Sequence, residues 1–281
     1  MDLGRDQDRR AHQEIDLRVA ALMHHLSRYK IVARAMVEGI RACGDEAIAV
    51  PIDAAPPGFD CAVCYGWKRR DVLKRYRQFV YADLSYWKRD THYRLSVGGW
   101  SPHRYVRAGL SADRLESFGV EVQPWQDGGD EVLIFGAQAK AMHEHGIKYL
   151  DWETNMALEL LERGAKVVYR PKPTDPMRAP LQLLGVGYDD GPLEDALKRA
   201  RCVVTHHSNA ALDALVAGVP VYCETGAAAA FSVARDEITD PPRRDGREQF
   251  LADCAWLQWS VDEMRSGAAW AHLKGRGVIR C

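Results

Sequence analysis

The 281-residue chain lacks any run of about 18 uncharged apolar residues, the length a membrane-spanning helix needs. Its longest apolar region, Ala210 to Ala234, is broken by Asp213 and Glu224. The charged start, Met1 to Glu14, holds no apolar stretch of signal-peptide length. Asparagine is nearly missing: Asn155 and Asn209 are the two present, and neither opens a glycosylation sequon. Seven cysteines are an odd number, and Cys43, Cys61, Cys64, Cys202, Cys223, Cys254 and Cys281 are scattered in no disulfide-framework spacing. An excess of one charge sign is absent too, with 38 Lys and Arg against 39 Asp and Glu, so the whole molecule does not demand a polyanionic partner. No Walker-type loop and no GxGxxG occurs, which argues against an ATPase and against an ordinary dinucleotide-dependent dehydrogenase. The expectation is a soluble, reduced, cytoplasmic protein of a bacterial or phage-infected cell. Its length suits about two domains, at roughly 150 residues each.

What is present is alternation. Short apolar runs at Leu17 to Met23, Glu46 to Val50, Cys61 to Tyr65, Gln78 to Leu84 and Arg94 to Val97 read as strands. Helical patterns fall between them at Arg28 to Cys43 and Lys68 to Arg77, with a short one at Ala112 to Phe118. Pro124 to Asp130, with Gly128-Gly129 inside it, reads as a linker and hinge. The alternation then restarts, with strands at Val132 to Phe135, Lys166 to Tyr169, Arg201 to Thr205 and Val219 to Cys223. Helices are expected at Asp151 to Arg163, Leu193 to Ala200 and Ser208 to Ala217. Strand and helix at this spacing imply parallel sheets with crossover helices. The expected organisation is two Rossmann-like domains, at 15–125 and 130–240, with a helical tail at 243–281 packing back.

The most informative stretch is Cys202 to Cys223, CVVTHHSNAALDALVAGVPVYC. A buried strand should end at Thr205, and Ser208 suits the N-cap of the next helix. Amides of Ser208, Asn209 and Ala210 at the sheet's C-terminal edge would then favour an anion. Upstream, Tyr169-Arg170-Pro171-Lys172-Pro173 follows a strand, and Phe135-Gly136-Ala137-Gln138 ends another in a small-residue turn. Two prolines stiffen the first turn, and an arginine is suited to bidentate phosphate binding.

In order and spacing, these three segments resemble the donor half of GT-B glycosyltransferases, particularly the bacterial polysaccharide-type enzymes, over roughly Val132 to Cys223. The resemblance implies a GT-B-like α/β fold, two parallel sheets facing across a cleft with C-terminal helices, and a nucleotide-sugar co-substrate, a UDP-sugar first. Gly136, Gln138, Arg170, Lys172, His207, Ser208 and Asn209 would then bind the donor. Asp213 would contact the nucleotide ribose, one methylene shorter than the family's usual glutamate. The resemblance implies no bound cofactor, and no metal if Arg170 and Lys172 supply the positive charge.

Between Tyr65 and Arg107 the chain carries eleven Lys or Arg, three Asp and ten aromatics, so this segment is +8 and the remainder −9. Basic residues neutralise phosphates and aromatic faces stack on bases or sugars. Trp67, Arg69, Tyr86, Trp87, Lys88, Arg89 and Arg94 are the candidate acceptor-binding residues. They leave a carbohydrate hydroxyl and a hydroxymethylated base in DNA both open as acceptors. A base in duplex DNA would have to be flipped out first.

An inverting GT-B enzyme needs a base at a strand end of its first domain. Asp83 fits, after Phe79-Val80-Tyr81-Ala82, a strand-to-Asp feature similar to that of the phage DNA glucosyltransferases. Asp90 and His92 lie in the same loop, and His24 and His25 follow the first strand, where some GT-B families keep a catalytic histidine. Cys61-x-x-Cys64 lies within a strand and has no second pair to complete a zinc site. His143-x-His145 and His206-His207 each lack a third ligand at convincing spacing, and Asp189-Asp190 reads as a turn. Two other readings stay open: a non-catalytic nucleic-acid-binding α/β protein, and a two-domain nucleotide-sugar epimerase.

Overall fold

A computed structural model describes residues 17–66, 70–99 and 109–279. In chain order the elements begin β1 (Arg18–Met23), α1 (Ser27–Ala42), β2 (Glu46–Pro51), β3 (Cys61–Tyr65), α2 (Arg70–Leu73), β4 (Gln78–Leu84), β5 (His92–Val97) and α3 (Asp113–Ser117). They continue with β6 (Glu131–Phe135), α4 (Ala139–Glu144), α5 (Asp151–Glu162), β7 (Lys166–Arg170), β8 (Gly187–Tyr188), α6 (Leu193–Arg199) and β9 (Ala200–Thr205). The last are α7 (Ala210–Val216), β10 (Val221–Cys223), α8 (Arg247–Ala255), β11 (Gln258–Ser260), α9 (Val261–Arg265) and α10 (Ala268–Gly275).

The strands form two sheets. A six-stranded sheet has the order β2-β1-β3-β4-β5-β11, and a five-stranded sheet the order β8-β7-β6-β9-β10. In the first, β1 pairs in parallel with β2 and β3, while β11 is antiparallel to β5. All the pairings of the second are parallel. Its central strands β6, β7 and β9 are buried on both faces, which is why they read as near-continuous apolar runs. Leu133, Phe135 and Val203 face one core with Leu212, Leu215, Phe250 and Leu251. Val132, Ile134 and Val204 face another with Met156, Leu160 and Tyr169. This period-two division is what the strand pleat imposes.

Contacts divide the chain into two compact units, Met1–Tyr81 with Val261–Cys281, and Ala82–Ser260. In the first unit, the Cys43 thiol after α1 donates to the Gly267 carbonyl between α9 and α10 (3.4 Å). The same unit buries Asp45, which accepts from the Leu17 amide (2.9 Å), the Trp270 indole (2.6 Å) and Lys274 (2.9 Å). Burial alone would raise the Asp45 pKa, but the bonds from Trp270, Leu17 and Lys274 outweigh it and hold the carboxyl below its usual value.

Several expectations change. The 243–281 tail contains a strand, β11, besides its helices. Of the expected Lys68 to Arg77 helix, the described residues 70–77 form the single turn α2, while α4 and β8 were not anticipated. The Pro124 to Asp130 stretch is no free hinge within the second unit. Gln123 N donates to Val216 O (2.8 Å), Gln126 N to Gly218 O (2.9 Å) and the Gln126 side chain to Ala217 O (2.7 Å). Gly218 has φ +80°, and a Cβ there would lie 1.9 Å from the Pro124 carbonyl oxygen. The glycine of the Gly-x-Pro motif is thus fixed by a close backbone approach.

Cys61 and Cys64 are buried in β3, and burial pushes both thiols up to about 12, far from thiolate chemistry. Among the described residues, six cysteines are free thiols. No described helix is long and apolar enough to cross a membrane.

Candidate functional site

In an open parallel sheet, ligands sit beyond the carboxyl ends of the strands where the strand order reverses. In the second sheet that point lies between β6 and β9: β7 and β8 extend to one side of β6, β9 and β10 to the other. The loops leaving β6 and β9 carry Gly136-Ala137-Gln138 and His206-His207-Ser208-Asn209. Thr205 ties the two strand ends together, its hydroxyl donating to Phe135 O (3.0 Å).

The loop after β6 is held by two acids that sequence reasoning passed over. Glu153, fully buried on α5, accepts the Ala137 amide (3.0 Å), and the buried Asp175 accepts the Ala139 amide (2.9 Å). Burial raises the Glu153 pKa, and the Ala137 bond only partly opposes it. Gly136 is buried, and a Cβ there would meet the Tyr169 hydroxyl at 2.5 Å, so its place is set by packing. Gln138, half-buried, donates to the Thr174 hydroxyl (3.1 Å).

The loop after β9 departs from the expected phosphate cradle. The Ser208 amide donates to Thr205 Oγ1 (3.2 Å) and the Ala210 amide to Ser208 Oγ (3.3 Å), so two of the three expected amides bond within the loop. Asn209, not Ser208, occupies the cap position of α7. Beside them stand His206, buried, and His207, half-buried, with Nδ1 atoms 2.7 Å apart. Burial lowers the His206 pKa to about 4, with His145 adding to the push and Glu224 opposing it. Burial lowers that of His207 to about 3, aided by His206, His145 and Lys172. Both imidazoles are therefore neutral near pH 7.

The two cations of the Arg-Pro-Lys-Pro turn part company. Arg170, buried at the end of β7, pairs with Asp189 (2.7 Å) and donates to the Gly191 carbonyl (2.8 Å). It fastens the β8 side of the sheet and does not project into the corner between β6 and β9, which corrects the expectation for that residue. Lys172 stays solvent-exposed. Protein crowded around it lowers its pKa, the Arg89 guanidinium lowers it further, and Asp83 and Asp175 pull it back up. Arg89 also acts on Asp213 of α7, whose carboxyl burial raises to about 6 against that attraction. Lys172, Arg89, Asp83 and Asp213 thus share one electrostatic neighbourhood inside the second unit.

Asp83 and Arg89 flank a turn that is held tightly. Gln258 of β11 accepts the amides of Tyr86 (2.7 Å) and Trp87 (2.9 Å), and the Ser85 hydroxyl donates to Trp87 O. Lys88 takes the left-handed backbone region (φ +50°), a strained choice for a lysine. Asp83, the penultimate residue of β4, has Oδ1 accepting the Leu84 amide (2.8 Å) and Oδ2 facing Arg94 (3.3 Å).

Several expected acceptor contacts are core instead. Arg94 is 2% exposed and donates to the Tyr86 hydroxyl (3.2 Å), and Tyr86 is itself buried. Trp87 is half-buried and packs on Tyr86 and Phe118. Lys88 folds back on Phe118 and donates to Ser117 O (2.7 Å). Trp67 and Arg69 lie outside the described residues. Of the ten aromatics between Tyr65 and Arg107, Tyr76, Phe79, Tyr81, Tyr86 and Tyr93 are buried and Tyr65 and Trp87 half-buried. The seven described ones form no exposed stacking face. Asp90 is exposed, whereas His92 packs on Phe118 (5.0 Å).

In the first unit, His24 and His25 follow β1, whose neighbours β2 and β3 lie on opposite sides of it. His24 packs on His25 (3.9 Å between ring centroids) and on Tyr29 (5.0 Å), and Tyr29 meets Tyr65 edge-on (5.2 Å). This places both histidines at the equivalent edge of the first sheet, among aromatic rings.

No protein-family model matches the sequence, and no curated protein matches it either. Solved structures do. "Thermosulfurimonas dismutans KpsC, beta Kdo 2,7 transferase" superimposes with a TM-score of 0.52 at 14% identity, covering 92% of this chain and 99% of that one. The fold is GT-B. A second structure, "Thermosulfurimonas dismutans KpsC, beta Kdo 2,4 transferase", aligns with a TM-score of 0.49 at 16% identity, over 86% of this chain and 91% of that one. In GT-B terms, β6 to β10 form the second Rossmann-like sheet, and the β6/β9 corner is its switch point.

Proposed function

We propose that this protein is a glycosyltransferase that moves a sugar from a nucleotide-sugar to a hydroxyl of a carbohydrate acceptor. The observation that carries this reading is the convergence of Lys172, Arg89, Asp83 and Asp213 beside the switch point of a GT-B sheet. Two cations suit a phosphate leaving group, and two carboxylates suit sugar hydroxyls and a proton.

The acceptor oxygen attacks the anomeric carbon while the bond from that carbon to the phosphate oxygen breaks. The electron pair leaves with the nucleotide phosphate, where Lys172 and Arg89 oppose the growing negative charge. Asp83 takes the acceptor proton. Arg94 and the Leu84 amide hold its carboxylate and fix its direction. Asp213 takes the hydroxyls of the nucleotide ribose, as the family resemblance implies. Gln138, His207 and the Ser208-Asn209 turn line the same corner, and a UDP-sugar is the first donor to try. His24 and His25 are the second candidates for acceptor chemistry.

A carbohydrate acceptor is favoured over DNA because the described aromatics of the basic segment are turned into the core. The name of one structural neighbour, a Kdo transferase, points the same way. The test is a panel of nucleotide-sugars with saccharide acceptors, read by mass spectrometry for product and released nucleotide. Product is expected from wild type and not from Asp83→Asn. Nucleotide release without any glycosylated product, across all saccharides tried, would pass the reading to a donor hydrolase or epimerase.

A further inference from the structure

We propose that His145, His206 and His207 form a binding site for a divalent transition-metal ion of the zinc class. The three rings make a nearly equilateral triangle, with centroids 4.9, 5.1 and 5.0 Å apart. Each offers a nitrogen, and these nitrogens all lie within 4.8 Å of one another. In a tetrahedral site with zinc–nitrogen bonds of about 2.0–2.1 Å, nitrogens stand about 3.3 Å apart. The Nδ1 atoms of His206 and His207, now 2.7 Å apart, need to open by only about 0.6 Å to reach that spacing.

The supports of the triangle are built into the fold. His206 and His207 follow β9 directly, and the His206 carbonyl accepts the Thr225 amide (2.8 Å), which fixes the backbone there. Trp152 packs on the His206 ring in a T-shaped arrangement (centroids 5.6 Å apart). His145 arrives from the C-terminal end of α4, its amide bonded to Met142 O (3.0 Å). The Glu224 carboxylate acts on His206 and supplies nearby negative charge. Three imidazoles with no carboxylate in the set suit zinc, cobalt, nickel or copper and disfavour magnesium and calcium. Three protein nitrogens leave at least one position for water or a ligand oxygen.

This inference does not rest on the sugar-transfer reading, because the metal is measured with no nucleotide present. The full chain is stripped with chelator, and zinc uptake is followed by titration calorimetry. The cobalt-loaded protein is examined for the visible absorption of four-coordinate cobalt. One equivalent of zinc is expected, with affinity falling at least tenfold in His145→Ala and no loss in His143→Ala, a histidine on the same helix outside the triangle. His145→Gln is the second variant, since His145 terminates a helix and its loss leaves the buried His206 in place. Melting curves confirm that both variants fold. Zinc uptake absent from wild type, or unchanged in both His145 variants, overturns the site, as does an equal loss in His143→Ala.

Discussion

Replacing Lys172 by alanine removes one of two cations at the GT-B switch point while touching nothing that the fold depends on. Lys172 is exposed and lies outside β7, so the melting temperature should stay close to wild type. Its proposed work is electrostatic. Two unit charges about 4 Å apart interact by about 4 kcal/mol at an effective dielectric near 20. Exposure and screening by salt reduce this by roughly half, to about 2 kcal/mol. That is roughly a 30-fold loss of nucleotide-sugar affinity. The loss in kcat should be larger, about 10²–10³-fold, because charge on the leaving phosphate grows in the transition state. Affinity is read by titration calorimetry at two salt concentrations, and turnover by nucleotide release. Lys172→Arg should recover most of the binding. If Lys172→Ala binds nucleotide-sugar within twofold of wild type, the phosphate does not sit where the cations gather and the reasoning fails.

Other substitutions separate chemistry from structure. Asp83→Asn should cut kcat by about 10²–10⁴-fold with donor affinity retained; wild-type turnover would pass the base role to His24, His25 or Asp90. Arg170→Ala should cost about 1–3 kcal/mol of stability by breaking the contacts to Asp189 and Gly191, with little change in nucleotide affinity. Loss of nucleotide binding at an unchanged melting temperature would return Arg170 to the donor site. Gly218→Ala combines a left-handed backbone with a Cβ driven at the Pro124 carbonyl, for about 3 kcal/mol and a melting temperature lower by roughly 5–10 °C. A melting temperature within a degree of wild type would refute that close approach. Because the folded Asp45 pKa is depressed, its stabilisation is complete above the unfolded value near 4 and is lost as pH falls below it through the folded value. Wild type should therefore lose its stability advantage over Asp45→Asn as the pH falls below about 4, measured by urea unfolding; an advantage independent of pH would contradict the buried Asp45–Lys274 pair.

The alternation of strands and helices was legible because parallel strands buried on both faces leave continuous apolar runs in the sequence. Gly-x-Pro and the Phe135-Gly136 turn were legible for a related reason: each marks a place where backbone or a tyrosine comes too close for a side chain. Two-residue β8 leaves no such trace, and β11 is too short to show a period. The choice between Arg170 and Lys172 was not legible either. Both are cations in one turn, and only the tertiary partner, Asp189, draws the first away. Arg89 stood in a basic run in which every arginine looked alike. Its distinction comes from the turn that Gln258 pins from 169 residues further along the chain. His145 reaches His206 and His207 through the crossover between strands, a meeting that spacing along the chain cannot express.

Hydrogen-exchange mass spectrometry with and without a saturating nucleotide-sugar tests the central claim most directly. Protection is expected in the loop after β6 at residues 136–139, around Lys172, and from His206 through Asp213. An exchange pattern unchanged in those three segments, or protection confined to other parts of the chain, would contradict it.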